Sequence, residues 1–196
     1  ADAIGRAFEE MDRLVGLLSR HQGDTPVSHL NRTGRLDGPP PEVAHVVGQA
    51  LEFHRFTGGA FDPTVAPLVL LHEDRAAAPA PALPSDAEVR EALALVGASH
   101  LTRDRRRIAF DRPGMAITLD GIAKGFIVDE LARALERGGV KRYLVEAGGD
   151  IRVRGTKEGE AAWRVAVQDP AHSGRFPDVV EVTDGAVATS GSYERA

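Results

Sequence analysis

Leu119-Asp120-Gly121-Ile122-Ala123-Lys124-Gly125 is the centre of a stretch, residues 115–155, around which the chain is organised. Ahead of it, Met115, Ile117 and Leu119 alternate with smaller or polar neighbours, the pattern of a half-buried strand. Behind it, Ile127, Leu131, Ala134 and Leu135 recur on one side at helical spacing. A helix is therefore expected over 126–137, stopped by Gly138-Gly139. Tyr143-Leu144-Val145 reads as a strand that breaks at Gly148-Gly149-Asp150 and resumes as Ile151-Arg152-Val153. A strand that opens into a helix through glycines makes an anion site. The first helical N–H groups lack intrahelical acceptors, and the helix dipole favours negative charge there. Lys124 adds a point charge, and the glycines admit a ligand to the backbone. The stretch suits a phosphate, alone or with a metal ion; the alternative is an ordinary strand-to-helix turn with a solvated lysine. Neither the P-loop pattern nor Gly-x-Gly-x-x-Gly is present.

The 196 residues allow one substantial core, or two lobes sharing it. A content of 42% hydrophobic and 27% charged residues is that of a soluble globular protein. The net charge of −5 argues against nucleic acid as a partner. Arg103, Arg105, Arg106 and Arg107 form a short basic run between strand-like segments, which reads as a solvated hairpin turn. The absence of cysteine excludes disulfides, thiolate metal sites and cysteine nucleophiles. No apolar run approaches transmembrane length. The chain opens at Ala1 without a methionine or a signal-peptide pattern, so a trimmed or mature product is expected.

From the start, 2–20 reads as an amphipathic helix capped by Asp2, with Ile4, Phe8, Met11, Val15 and Leu18 as its buried stripe. Residues 25–40 are loop-like. Pro39-Pro40-Pro41 starts a helix whose apolar side is Val43, Val46, Val47, Ala50, Leu51 and His54, the histidine read as packed rather than ligating. Thr57-Gly58-Gly59-Ala60-Phe61-Asp62-Pro63-Thr64 is a turn. The alanine- and proline-rich residues 73–84 read as a flexible surface insertion. Ser85-x-x-Glu88 is a capping box for a helix to Val96, with Gly97 as its stop. A hairpin over 101–110 turns at Asp104-Arg105, and later strands are expected at 163–167, 179–182 and 186–188. Helices first, then strands carrying one more helix, argue for an α+β fold in a single domain.

The seven histidines include no His-x-x-x-His or His-x-His pair, which disfavours a histidine zinc site. Ser190 does not sit in a Gly-x-Ser-x-Gly elbow, so an acyl-transfer nucleophile is disfavoured, and Thr189 and Ser190 read as turn residues. Asp62, Asp120 and Asp150 each lie at a strand end or glycine turn, where hard oxygen ligation of Mg²⁺ beside phosphate is available; the alternative is that each caps a turn.

Five blocks occur in order: Gly59-Ala60-Phe61-Asp62-Pro63-Thr64-Val65; Gly121-Ile122-Ala123-Lys124-Gly125-x-x-x-Asp129; Gly148-Gly149-Asp150-Ile151 with Gly155; Trp163-x-Val165 to Asp169-Pro170; and Ala188-Thr189-Ser190-Gly191-x-Tyr193. Each is weak alone. Together, the set resembles the ApbE family of FAD:protein FMN transferases. The resemblance implies an ApbE-like fold, a mixed or antiparallel sheet with packed helices. It implies FAD as substrate and Mg²⁺ as cofactor, with FMN transferred to a threonine or serine hydroxyl of an acceptor flavoprotein of a redox complex and AMP released. It assigns FAD contacts to Ala60, Phe61, Asp62 and Lys124, and a main-chain carbonyl to the metal at Gly121. Catalytic side chains are not assigned. Family members face the periplasm or cell envelope, often through a lipid anchor, which here would lie upstream.

The chain departs from the family pattern Asp-Leu-Gly-Gly-Ile-Ala-Lys-Gly. Thr118 stands where an FAD-contacting aspartate is usual, and Asp120 replaces a glycine, so a carboxylate is expected to act from a shifted position. The first strand of the fold is expected ahead of Ala1. In the family an Asp and a Thr beyond the Thr-Ser-Gly block complete the metal site, and the given sequence stops before them, which leaves a fragment or an incomplete enzyme as the expectation. The alternatives are an FAD pyrophosphatase giving FMN and AMP, and a flavin-binding protein without turnover.

Overall fold

The computed structural model describes residues 2–157, 161–172 and 174–189. The chain divides into two compact units, residues 1–13 with 124–196, and residues 14–123. The α+β expectation holds, since helices accompany three antiparallel sheets. No described helix is long and apolar enough to cross a membrane.

Helix α1 spans Ala3–Leu18, and the Asp2 carboxylate accepts from the Gly5 N–H at 2.6 Å as its cap. Its buried stripe differs from the expected one. Ala7, Leu14 and Leu18 are buried, whereas Ile4 and Phe8 are 59% and 57% exposed. The cause is close helix approach. A Cβ on Gly138 would clash with the Ala3 Cβ, so the first turns of this face hold alanines while Ile4 and Phe8 turn out; Leu18 is buried as expected.

In the unit of residues 14–123, α2 occupies Pro26–Thr33 and β1 occupies Arg35–Asp37, where a loop was expected. Thr25 caps α2 by accepting from Ser28 N at 3.0 Å, and Pro26 supplies its first turn. Two buried residues, Val27 and Leu30, are too few to show a period in the sequence. Helix α3 spans Pro41–Phe56 and buries Val43, Val46, Val47 and Ala50 as read. A 3-10 turn over Pro63–Val65 leads into α4, Ala66–Ala76, so the start of the expected insertion at 73–84 is helical. Its run Glu73-Asp74-Arg75-Ala76 holds no helix breaker, and Arg75 pairs with Glu88 of α5, Asp86–Leu93. The Ser85 capping box forms. Strands β2, Leu101–Arg103, and β3, Arg107–Phe110, make the hairpin, with Asp104 accepting from the amides of Arg106 and Arg107. The sheet order is β1-β3-β2, antiparallel throughout.

Residues 115–119 are not a strand of any sheet. Met115, Ala116, Ile117 and Leu119 are all buried, so the segment is enclosed rather than half-buried. A side chain does the work of a neighbouring strand. Asn31 Nδ2 donates to Ile117 O at 2.9 Å, and Asn31 Oδ1 accepts from Ile117 N at 2.8 Å. Thr118 N donates to Pro63 O at 2.8 Å.

In the unit of residues 1–13 and 124–196, α6 is counted from Ala123, Ala123–Arg137, three residues earlier than read. It ends at Gly139 (φ 84°), where Val140 N bonds Leu135 O and Gly139 N bonds Glu136 O. Leu131, Ala132, Ala134 and Leu135 pack with Ala7 and Tyr143, bordered by Met11, Ile127 and Val145. Strands β4, Tyr143–Ala147, and β5, Asp150–Arg154, form a hairpin through Gly148-Gly149. Both glycines have positive φ, 59° and 90°, as a two-residue type I′ turn requires. Strand β8, Gly185–Ala188, pairs with β5, and β6, Trp163–Val167, pairs with β7, Asp178–Val182.

Candidate functional site

The block Gly59-Ala60-Phe61-Asp62 connects α3 to the Pro63–Val65 turn. His54 Nδ1 lies 3.0 Å from Phe61 O; a carbonyl only accepts, so Nδ1 carries the proton there. Phe61 N donates to Thr57 Oγ1 at 3.0 Å. The Phe61 ring meets Phe53 edge-on at 6.2 Å. Its far edge covers Gly121, where a Cβ would stand 3.1 Å from Phe61 Cε2. The fold thus joins two blocks that are about sixty residues apart in the sequence. A side chain at Gly121 would require the ring to give by a few tenths of an ångström. Gly121 and Ala60 are exposed, so the backbone of both blocks is open to a ligand.

Asp62 faces inward. Its Oδ1 accepts from Thr64 N at 2.7 Å and Thr64 Oγ1 at 2.6 Å, and its Oδ2 accepts from Ala98 N at 3.2 Å and lies 3.4 Å from His54 Nδ1. Both carboxylate oxygens are engaged by the chain, the turn-capping role weighed for it from sequence.

Asp120 lies in the turn before α6. Thr118 Oγ1 accepts from its N–H at 3.1 Å. Its Oδ2 receives Arg20 Nε at 2.9 Å and stands 3.6 Å from His21 Nε2. Burial pushes the Asp120 carboxyl up, but the hydrogen bond and charge of Arg20, helped by Thr118 and His21, leave it below the usual range. Arg20 in turn grips Glu73 by two bonds, at 3.0 and 2.7 Å. Glu73 is held below the ordinary glutamate value, chiefly by that hydrogen bond. Sequence reading missed Arg20 and Glu73, since nothing local marks partners 100 and 53 residues apart.

In the other unit, Lys124 stands in the first turn of α6. Its Nζ donates to Gly148 O at 3.0 Å and lies 3.6 Å from Asp150 Oδ2, with half of the side chain exposed. The Gly148-Gly149 turn is held by Glu146 Oε1, which accepts from Gly149 N at 3.0 Å. Thr189 N donates to Gly149 O at 3.1 Å. The Ile122 and Ala123 amides both bond Leu119 O, at 2.9 and 2.7 Å, so the N–H groups of Lys124 and Gly125 are the ones left without an intrahelical acceptor. The anion-binding feature is therefore narrower than the sequence implied. Ser190, Gly191 and Tyr193 lie outside the described residues.

Among the described residues, no group of three or more His, Cys, Asp or Glu could hold a metal ion. Asp62 and Asp120 are engaged with the chain's own donors, and Asp150 faces an ammonium. The Gly121 carbonyl is one available ligand, far short of the octahedral shell that Mg²⁺ takes. The described residues alone do not make a magnesium site.

The profile of the ApbE family matches residues 2–196. The chain is 33% identical over 191 residues to the FAD:protein FMN transferase of Vibrio cholerae serotype O1, covering 94% of this chain and 57% of that protein. It is also 33% identical to the enzyme of that name from Salmonella typhimurium, covering 94% and 55%. Among solved structures, it is similar to the flavin transferase ApbE from Vibrio cholerae, with TM-score 0.85, 32% identity, and 98% of this chain and 64% of that chain covered. The ApbE protein from Thermotoga maritima gives TM-score 0.89 at 31% identity, covering 98% and 63%. The chain spans little more than half the length of the curated relatives it matches. With the family's ordered motifs in place and its profile matched over nearly the whole chain, this chain belongs to the ApbE family.

Proposed function

We propose that this chain carries the flavin-handling part of an FAD:protein FMN transferase. The substrate is FAD. A threonine or serine hydroxyl of an acceptor flavoprotein, part of a redox complex facing the periplasm or cell envelope, attacks the FMN-side phosphorus. The new P–O bond joins FMN to the acceptor, the bridging P–O bond breaks, AMP leaves with the bridging oxygen, and the hydroxyl proton passes to solvent.

The observation that supports this most is Lys124. A half-exposed ammonium at the start of a helix, fixed by Gly148 O and beside two N–H groups lacking intrahelical acceptors, suits a pyrophosphate. Held charge of this kind counters the negative charge that builds as AMP leaves. Ala60 and Phe61 offer exposed backbone and an aromatic edge to the flavin nucleotide. Thr118 and Asp120 offer a hydroxyl and a carboxylate. Asp62 acts through the backbone it shapes. The Gly121 carbonyl would be this chain's contribution to holding a magnesium ion. A bound Mg²⁺ would supply charge neutralisation at the phosphates.

Incubating the full-length protein with FAD, Mg²⁺ and a candidate acceptor tests the reading. Covalent flavin on the acceptor with an equal yield of AMP is expected. Free FMN with AMP would show a pyrophosphatase instead, and bound, unchanged FAD would show a carrier.

A further inference from the structure

Arg20 is placed for a task that its salt bridge to Glu73 does not require. Two of its nitrogens already satisfy Glu73, and its third, Nε, turns to Asp120. The Arg20 side chain is 5% exposed, whereas that of Asp120 is 44% exposed. The guanidinium is thus buried behind the carboxylate, and the carboxylate fronts solvent one residue ahead of Gly121. A lone Asp in an exposed turn would swing through several rotamers. This one is fixed from behind by Arg20, has His21 Nε2 3.6 Å from the same oxygen, and stands on a backbone N–H held by Thr118 Oγ1. An ionised carboxylate has about four acceptor sites and no donor. With Arg20 filling one, it retains acceptors for a ligand's O–H or N–H groups but repels phosphate.

We propose that Arg20, backed by Glu73, is a positioning residue that holds the Asp120 carboxylate toward a hydroxyl or N–H donor of FAD, distinct from the pyrophosphate. This rests on the FAD reading above. Arg20 itself does not touch the substrate, because its donors face Glu73 and Asp120.

The test is steady-state transfer kinetics and FAD equilibrium binding by flavin fluorescence on the full-length protein. The variants are Arg20→Met, Arg20→Lys, Glu73→Gln, Asp120→Asn and the double variant R20M/D120N, with Tm measured alongside. Arg20→Met and Asp120→Asn should each raise KM and Kd for FAD about tenfold, with kcat within about twofold. The double variant should be no worse than the worse single, because the two residues act as one unit. Arg20→Lys should recover part of the affinity, as it restores charge without the fork. If Arg20→Met does not fold, Glu73→Gln, which loosens the guanidinium from behind, should still raise KM severalfold. A lowered Tm with unchanged FAD affinity in the Arg20 and Glu73 variants would overturn the inference, as would strictly additive losses in the double variant. A wild-type protein that binds no FAD would overturn the function reading and this inference together. Wild-type binding with indistinguishable variants would overturn this inference alone.

Discussion

Asn31 and Ile117 are joined by a reciprocal pair of hydrogen bonds, one at each end of the Asn31 amide, at 2.9 and 2.8 Å. The pair stands in for a β-ladder along the buried segment that delivers Thr118, Asp120 and Gly121 to the surface. Asn31→Ala should leave the buried Ile117 N–H and C=O unsatisfied and lower stability by about 2–4 kcal/mol, read by urea denaturation. Weaker FAD binding should accompany it. A loss below about 0.5 kcal/mol would show that the segment is held by its apolar side chains alone.

Gly149 has φ +90°, and a Cβ there would lie 2.5 Å from Thr189 Oγ1. Gly149→Ala should therefore cost about 1–3 kcal/mol from the backbone conformation, with the clash in addition. Thr189→Ala in the same chain should recover the clash and leave the φ cost. Thermal denaturation of the two variants separates them. Full recovery would mean that the backbone carries no strain.

Tyr143 and Glu136 predict a two-sided pH dependence. Tyr143 Oη donates to Glu136 Oε1 at 2.7 Å, and Arg154 pairs with the same carboxylate. Burial, then the Glu136 bond, raises the phenol above its ordinary 10.0. Arg154, then Tyr143, holds Glu136 below its ordinary 4.5. A raised phenol favours the folded state below pH 10.0, and that contribution fades as pH rises past it. A depressed carboxyl contributes above pH 4.5 and fades as pH falls. The stability gap between wild type and Tyr143→Phe should be widest between these limits and narrow on both sides. A gap independent of pH would contradict the bond.

Asp62→Asn separates a cap from a metal ligand. The amide keeps the acceptor toward Thr64 but can place an NH₂ against the Ala98 N–H and His54 Nδ1–H, two donors facing a donor. Stability should fall by about 1–3 kcal/mol, while the Mg²⁺ concentration for half-maximal activity stays within about twofold of wild type. A large rise in that concentration at unchanged Tm would make Asp62 a ligand.

What was legible in the sequence was backbone-local. The Gly138-Gly139 stop, the Gly148-Gly149 turn, the Ser85 capping box and the Asp104 turn each depend on residues a few positions apart, and each stands as read. The exposure of Ile4 and Phe8, at the start of the α1 stripe, depends on the approach of Gly138 to Ala3, which no local pattern announces. The unpaired course of 115–119 depends on a side chain 86 residues away. The site divides in the same way. Gly121 and Lys124 were marked by their turn, but the partners of Asp120 are set by tertiary placement, and no nearby residue announces Arg20.

The most direct measurement is intact-mass analysis of the acceptor after incubation of full-length wild type, or its Lys124→Ala variant, with FAD and Mg²⁺. The wild type should add one FMN per acceptor, with AMP formed in step, and Lys124→Ala should do so at least about a hundredfold more slowly. Equal labelling by both proteins, or FMN and AMP without any adduct, would contradict a transfer centred on the Lys124 turn.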